Sequence, residues 1–178
     1  MATTVLVTGA QFDALPYEEG RLWELVDGEM IPMPSATTEH QLIVQNILVS
    51  LVLHLRAHHG QGIAVADVEF ALDENYRVRP DVFILLTERA ASHDRSRVPI
   101  PGAPDIAIEV ISPSERSVDS QLKVKAYLQH GTREVWQVYP KLKSVIIHRG
   151  ATALALEETD TISSELLPGF SLPVRSLF

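Results

Sequence analysis

The 178-residue sequence contains no cysteine. That absence excludes a disulfide framework, a thiolate zinc site, an iron–sulfur cluster and a cysteine nucleophile. The chain is also short of base: 15 Lys and Arg stand against 23 Asp and Glu, a formal net charge of -8. A protein that coats nucleic acid carries the opposite balance. No apolar run is long enough to span a bilayer, since Leu42–Leu55 is broken by Gln45, Asn46, Ser50 and His54. Met1–Ala10 lacks a basic region ahead of an apolar core. The expectation is a cytoplasmic protein of one domain with no membrane partner, large enough to bury a core without disulfides or a structural metal.

The charge is unevenly spread. Residues 1–40 hold 1 base and 7 acids, residues 41–114 hold 6 and 9, residues 115–149 hold 7 and 3, and residues 150–178 hold 1 and 4. One contiguous basic stretch therefore sits inside an acidic chain.

Residues 23–31 read as a hairpin around Asp27-Gly28, a pair suited to a turn with positive φ at both central positions. From Thr38 the period changes. Leu42, Ile43, Ile47, Leu48, Leu51, Val52 and Leu55 recur at three- and four-residue steps, which predicts a helix capped by Thr37 or Thr38 and stopped by Gly60. Strands are expected over Ile63–Leu72, Arg79–Leu86, Asp105–Ile111 and Glu134–Tyr139, with a further hairpin strand at Val145–His148. A second helix is expected at about Val118–His130, closed by Gly131. The punctuated but apolar tail Leu167–Pro173 is expected to dock on the core. This order indicates a mixed α/β or α+β sheet with helices packed on it.

Two carboxylates stand inside apolar strands. Glu109 interrupts Ile106–Ile111, and if Ile108 and Val110 share one face it points to the other. Asp81 opens the strand Val82–Leu86. Burying an unpaired carboxylate is costly, so such a group is paired, protonated or bound to a cation. If both converge at about 4 Å, their repulsion is on the order of 4 kcal/mol at an effective dielectric of about 20. A divalent cation relieves it and makes an open site suited to phosphate chemistry. A lysine would stabilise charge developing on the phosphate or orient a water. Lys123 and Lys125 both lie on the second helix, on nearly opposite faces, and spacing alone does not choose between them. The blander alternatives are strand-end carboxylates capped by backbone or by arginine, and solvated helix lysines.

Taken in order, these residues resemble the PD-(D/E)xK nuclease superfamily with its restriction-endonuclease-like fold. Within it the chain is similar to the Uma-two family, long catalogued as a domain of unknown function. The resemblance runs from about Trp23 to the C-terminus. It rests on Glu24-Leu25-Val26-Asp27-Gly28-Glu29, Glu39-His40, Arg79-Pro80-Asp81-Val82, Pro104-Asp105, Ile108-Glu109-Val110-Ile111-Ser112-Pro113-Ser114, Lys123, Tyr127-Leu128, Gly131, Val135-Trp136, Pro140 and Leu167-Pro168-Gly169-Phe170. It implies a lead-in over residues 1–20 and a restriction-endonuclease-like domain over 21–178, with an added N-terminal hairpin and the docked tail.

It further implies that Asp81, Glu109 and the backbone carbonyl of Val110 hold Mg2+ or Mn2+. The superfamily's lysine position falls on Ile111. In the Uma-two pattern a helical lysine four residues before the aromatic replaces it, which is Lys123 before Tyr127. Tyr139 stands where relatives commonly have an acid. Glu39 and His40 are candidate accessory residues, and Lys125 remains the competing lysine. His54 and His58, with His59 beside them, have helical spacing but no carboxylate on their face.

The implied function is a divalent-metal-dependent endonuclease acting on weakly bound DNA. The alternative is a catalytically weak or inactive nuclease-fold module for binding or assembly; a third reading is a hydrolase of another phosphate ester. Pairing through an edge strand such as Val145–Ile147 would give a homodimer.

Overall fold

The computed structural model describes residues 6–16, 22–58, 60–113 and 115–178. His59, Ser114 and parts of the lead-in therefore lie outside the described residues. In chain order the elements are α1 (Gly9–Asp13), β1 (Leu22–Val26), β2 (Glu29–Met33), α2 (Thr38–Ala57), β3 (Gly62–Ala66), β4 (Phe70–Asp73), β5 (Tyr76–Val78), β6 (Val82–Leu86), α3 (Thr87–Ser92), β7 (Ile100–Pro101), β8 (Ile106–Val110), α4 (Ser117–Gln129), β9 (Glu134–Tyr139), β10 (Ser144–Arg149), β11 (Thr152–Leu156), β12 (Thr161–Ile162) and β13 (Leu172–Pro173).

A six-stranded sheet has the order β11-β10-β9-β8-β6-β3. Its β8–β9 pair is parallel and the neighbouring pairs are antiparallel. A five-stranded sheet, β2-β1-β5-β4-β7, packs beside it, and β12 and β13 form a small ribbon. The mixed α/β expectation holds. Asp27 and Gly28 both adopt positive φ (53° and 77°) in the β1–β2 turn, as their identity requires.

Alternation along β6 and β8 divides the core in two. Val82, Ile84, Ile106, Ile108 and Val110 pack against the α2 stripe, Trp136 and the tail residues Leu167 and Phe170. Phe83, Leu85 and Ala107 face the opposite way, onto Tyr127 of α4 and Phe70 and Val78 of the second sheet. Glu109, one residue from Ile108 and two from Ala107, thus points into the space between α4 and the second sheet.

Two expectations are corrected. Ile63–Leu72 is not one strand. Asp67 takes a positive φ (57°), and the chain crosses from β3 in one sheet to β4 in the other. The apolar pattern hides the break because Val68 and Phe70 resume it in the second core. The strand Val145–Ile147 is not an edge either: β10 is flanked by β9 and β11, so that route to a homodimer is closed.

Candidate active site

Thr37 caps α2, its hydroxyl accepting from the backbone N–H of His40 at 3.2 Å. The cap fixes His40 in the first turn, and its ring reaches Asp81, with Nε2 3.4 Å from Oδ2. Glu39, its neighbour, is exposed. Asp81 precedes β6, and the antiparallel register pairing Val82 with Ile108 sets it beside Glu109. Asp81 Oδ2 accepts from the backbone N–H of Val110 at 2.7 Å.

α4 delivers Lys123 to the same place. Its ammonium donates to Glu109 Oε2 at 2.8 Å and lies 3.0 Å from Glu24 Oε2. Tyr127, one turn on, donates from its hydroxyl to Glu109 Oε1 at 2.9 Å. Lys125 is exposed on the outer face of α4. Side-chain exposures of 8% for Lys123, 10% for Glu109 and 7% for Glu24 show how thoroughly the cluster is enclosed.

Two carboxylates therefore share one buried ammonium. Burial pushes the Glu109 carboxyl up to about 8, against the pull of Lys123 and with the push of Glu24 and Asp81. Burial alone would lower the Lys123 ammonium. Glu109 and Glu24, with Glu115, outweigh it and hold the group well above its usual value. Lys123 is thus a fixed cation and hydrogen-bond donor. The cluster retains more negative charge than Lys123 offsets, a condition that favours taking up a proton or a cation.

Asp81 has a structural twin. Asp105 precedes β8 and accepts from the N–H of Leu86 at the end of β6 at 2.8 Å, as Asp81 accepts from Val110 at the end of β8. Both carboxylates cap a neighbouring strand, so the bland reading is true of each. Their surroundings differ. Asp105 faces Arg89 and Arg133, each at 3.8 Å, whereas Asp81 faces His40 and the buried cluster. The Nδ1 atom of His40 is buried without a hydrogen-bond partner.

Asp81 and Glu109 bring hard carboxylate oxygens to adjoining strands, and the Val110 backbone meets them through its N–H to Asp81. Among the described residues, no three His, Asp or Glu side chains are arranged to hold a metal ion. The carboxylate pair still fits Mg2+ or Mn2+, which bind through one or two carboxylates and keep positions for water and phosphate. A carboxylate offers about four acceptor sites, so the bonds to Lys123 and Tyr127 do not exhaust Glu109. Ile111, at the superfamily's lysine position, is half-buried, and Tyr139 donates to Gln137 Oε1 at 3.1 Å.

Two participants were given no site role by the sequence reading, although Glu24 opens one of the motifs behind the resemblance. Glu24 belongs to the β1–β2 hairpin and becomes a partner of Lys123 only because the second sheet folds over the first. Glu115 lies in the loop before α4. Burial raises its carboxyl while Lys123 pulls it down, and Glu24 and Asp81 push it up further. An acid in a Ser/Pro loop carries no pattern to distinguish it from a solvated one. The rings of His54 and His58 lie 4.3 Å apart, tilted by 31°, and His54 packs edge-on against Phe170.

A family model, Uma2, described as "Putative restriction endonuclease", matches residues 10–175. No curated protein matches the chain. Among solved structures, a "putative nuclease belonging to DUF820" from Anabaena variabilis superposes with a TM-score of 0.83 at 19% identity, over 97% of this chain and 97% of that one. That likeness establishes the fold.

Proposed function

The chain belongs to the Uma2 family, and from that premise we propose that it is a Mg2+- or Mn2+-dependent endonuclease hydrolysing DNA phosphodiester bonds. The observation that carries the reading is the convergence of Lys123 from α4 on Glu109 of β8, beside Asp81 at the entry to the adjoining strand β6. Asp81, Glu109 and the Val110 carbonyl would hold the cation. When bound, the ion supplies charge neutralisation at the phosphate and a water of lowered pKa.

The protein's own residues do the rest. Lys123, held protonated, donates toward the negative charge that grows on the phosphate rather than taking a proton from water. Tyr127 and Glu24 fix its reach and the rotamer of Glu109. His40, set by the Thr37 cap, flanks Asp81 where a water or phosphate oxygen would approach.

Incubation of supercoiled plasmid with Mg2+ or Mn2+ is expected to yield nicked product. The activity disappears with a chelator and in Asp81→Asn. Undiminished cleavage by that variant rejects the assignment. One observation favours a second reading, a nuclease fold that binds without turnover: both Glu109 oxygens are already held, by Lys123 and Tyr127. Calorimetric Mn2+ binding without cleavage over a panel of DNA and RNA would select it.

A further inference from the structure

Away from the catalytic cluster, β3 forms one open edge of the six-stranded sheet. A cavity of about 510 Å3 runs along it, within the size range of ligand sites. Four consecutive residues of β3, Gly62 to Val65, line this cavity. Side chains of a strand alternate between faces. Here Ala64 packs toward α2, and Ile63 and Val65 toward the second core. Consecutive residues can therefore share a cavity only if it meets the strand edge-on, where its unpaired backbone N–H and C=O groups project.

The walls suit one kind of occupant. Val52 and Leu55 of α2 close one side, and Val98 and Ile100 the other. Arg56, Arg95 and Arg97 also line the space, and among the described residues none of them is within ion-pair distance of a carboxylate. Asp94, the carboxylate of that loop, is occupied in accepting from Ser96, at 2.9 Å from its N–H and 2.7 Å from its hydroxyl. In a chain of net charge -8, three arginines around one apolar cleft, with Asp94 of the loop acting only on Arg97, are a local reversal.

We propose that this cleft docks an extended peptide segment of a partner protein, with acidic and aliphatic side chains alternating. The segment adds as a strand to β3, its aliphatic side chains on one face seated against Val52 and Leu55 and its acids on the other facing Arg95 and Arg97. Pairing of β3 with β3 of a second copy is opposed, because it would bring both sets of arginines together. Nucleic acid fits less well: Phe83 on the lining is 1% exposed and offers no ring for base stacking, which leaves the half-buried His93 for that role.

The test uses the full chain and a fluorescein-labelled octapeptide alternating Glu with Val, read by fluorescence anisotropy. Saturable binding is expected, weakened about tenfold by the double variant Arg95→Ala/Arg97→Ala. Both arginines are exposed, and circular dichroism confirms that the variant is folded. Methylating the peptide nitrogens along one edge is expected to abolish binding, and replacing Glu by Lys to do the same. Asp81→Asn is expected to bind the peptide as the wild type does, so this outcome is independent of the nuclease reading. Absent binding overturns the proposal, as does equal binding of the methylated or Lys peptide. So does capture of single-stranded oligonucleotide through the same arginines while the peptide fails to bind.

Discussion

Replacing a buried ammonium that serves two carboxylates leaves both without compensation. Lys123→Met is therefore expected to destabilise the fold by about 3–5 kcal/mol, measured by urea unfolding, whereas Lys125→Met on the exposed face is expected to change little. Glu109 adds a pH dependence. In the unfolded chain its carboxyl ionises near the ordinary glutamate value, but in the fold it holds its proton up to about 8. Between these values unfolding releases a proton, so this contribution to stability is full in acid and is lost as pH rises toward about 8. Glu109→Gln is expected to flatten that decline; an unchanged slope would show that Glu109 is not its source. At this scale the sequence was partly legible. A carboxylate inside an apolar strand announces itself, and the helical spacing to Tyr127 distinguishes Lys123 from Lys125 only once the family pattern is applied. Glu24 and Glu115 were not legible, because their partners are set by a fold-over of sheets and by a loop path that no local period encodes.

The antiparallel pair β6–β8 builds the same device at both ends, with Asp81 capping Val110 and Asp105 capping Leu86. Removing either carboxylate leaves a strand-end N–H unsatisfied. Asp81→Ala and Asp105→Ala are each expected to cost about 1–3 kcal/mol by chemical denaturation, but only the first to lose cleavage. Equal loss of activity in both would mean that the strand ends matter mechanically and that Asp81 has no chemical role. Two elements were readable: β9 occupies Glu134–Tyr139 as expected, and α4 lies within one residue of the expected helix. The break at Asp67 was not readable, since apolar residues on both sides of it are buried in different cores. The edge position of β3, on which the docking proposal depends, follows from sheet order and has no counterpart in the strand's own sequence.

Across the whole molecule, the basic stretch 115–149 proves less available than its count suggests. Arg116 pairs with Asp119, Arg133 with Asp105, Lys143 with Glu158 and Arg149 with Glu134, while Lys123 is buried. Among the described residues only Lys125 and Lys141 of that stretch stand outside ion pairs. DNA binding without divalent cation is therefore expected to be weak, with a log–log salt slope of about -2. A slope steeper than about -6 would mean that the ion pairs open to meet the phosphates. On the proposed reading, contact with the scissile phosphate would fall to a cation held between Asp81, just ahead of β6, and Glu109 of β8. The most direct measurement of that claim is anomalous diffraction from a crystal of this protein soaked in Mn2+. The account predicts one strong peak coordinated by both Asp81 and Glu109, with the Lys123 ammonium directed at the same space. A peak elsewhere, or a site in which Asp81 and Glu109 share no ion, would contradict it.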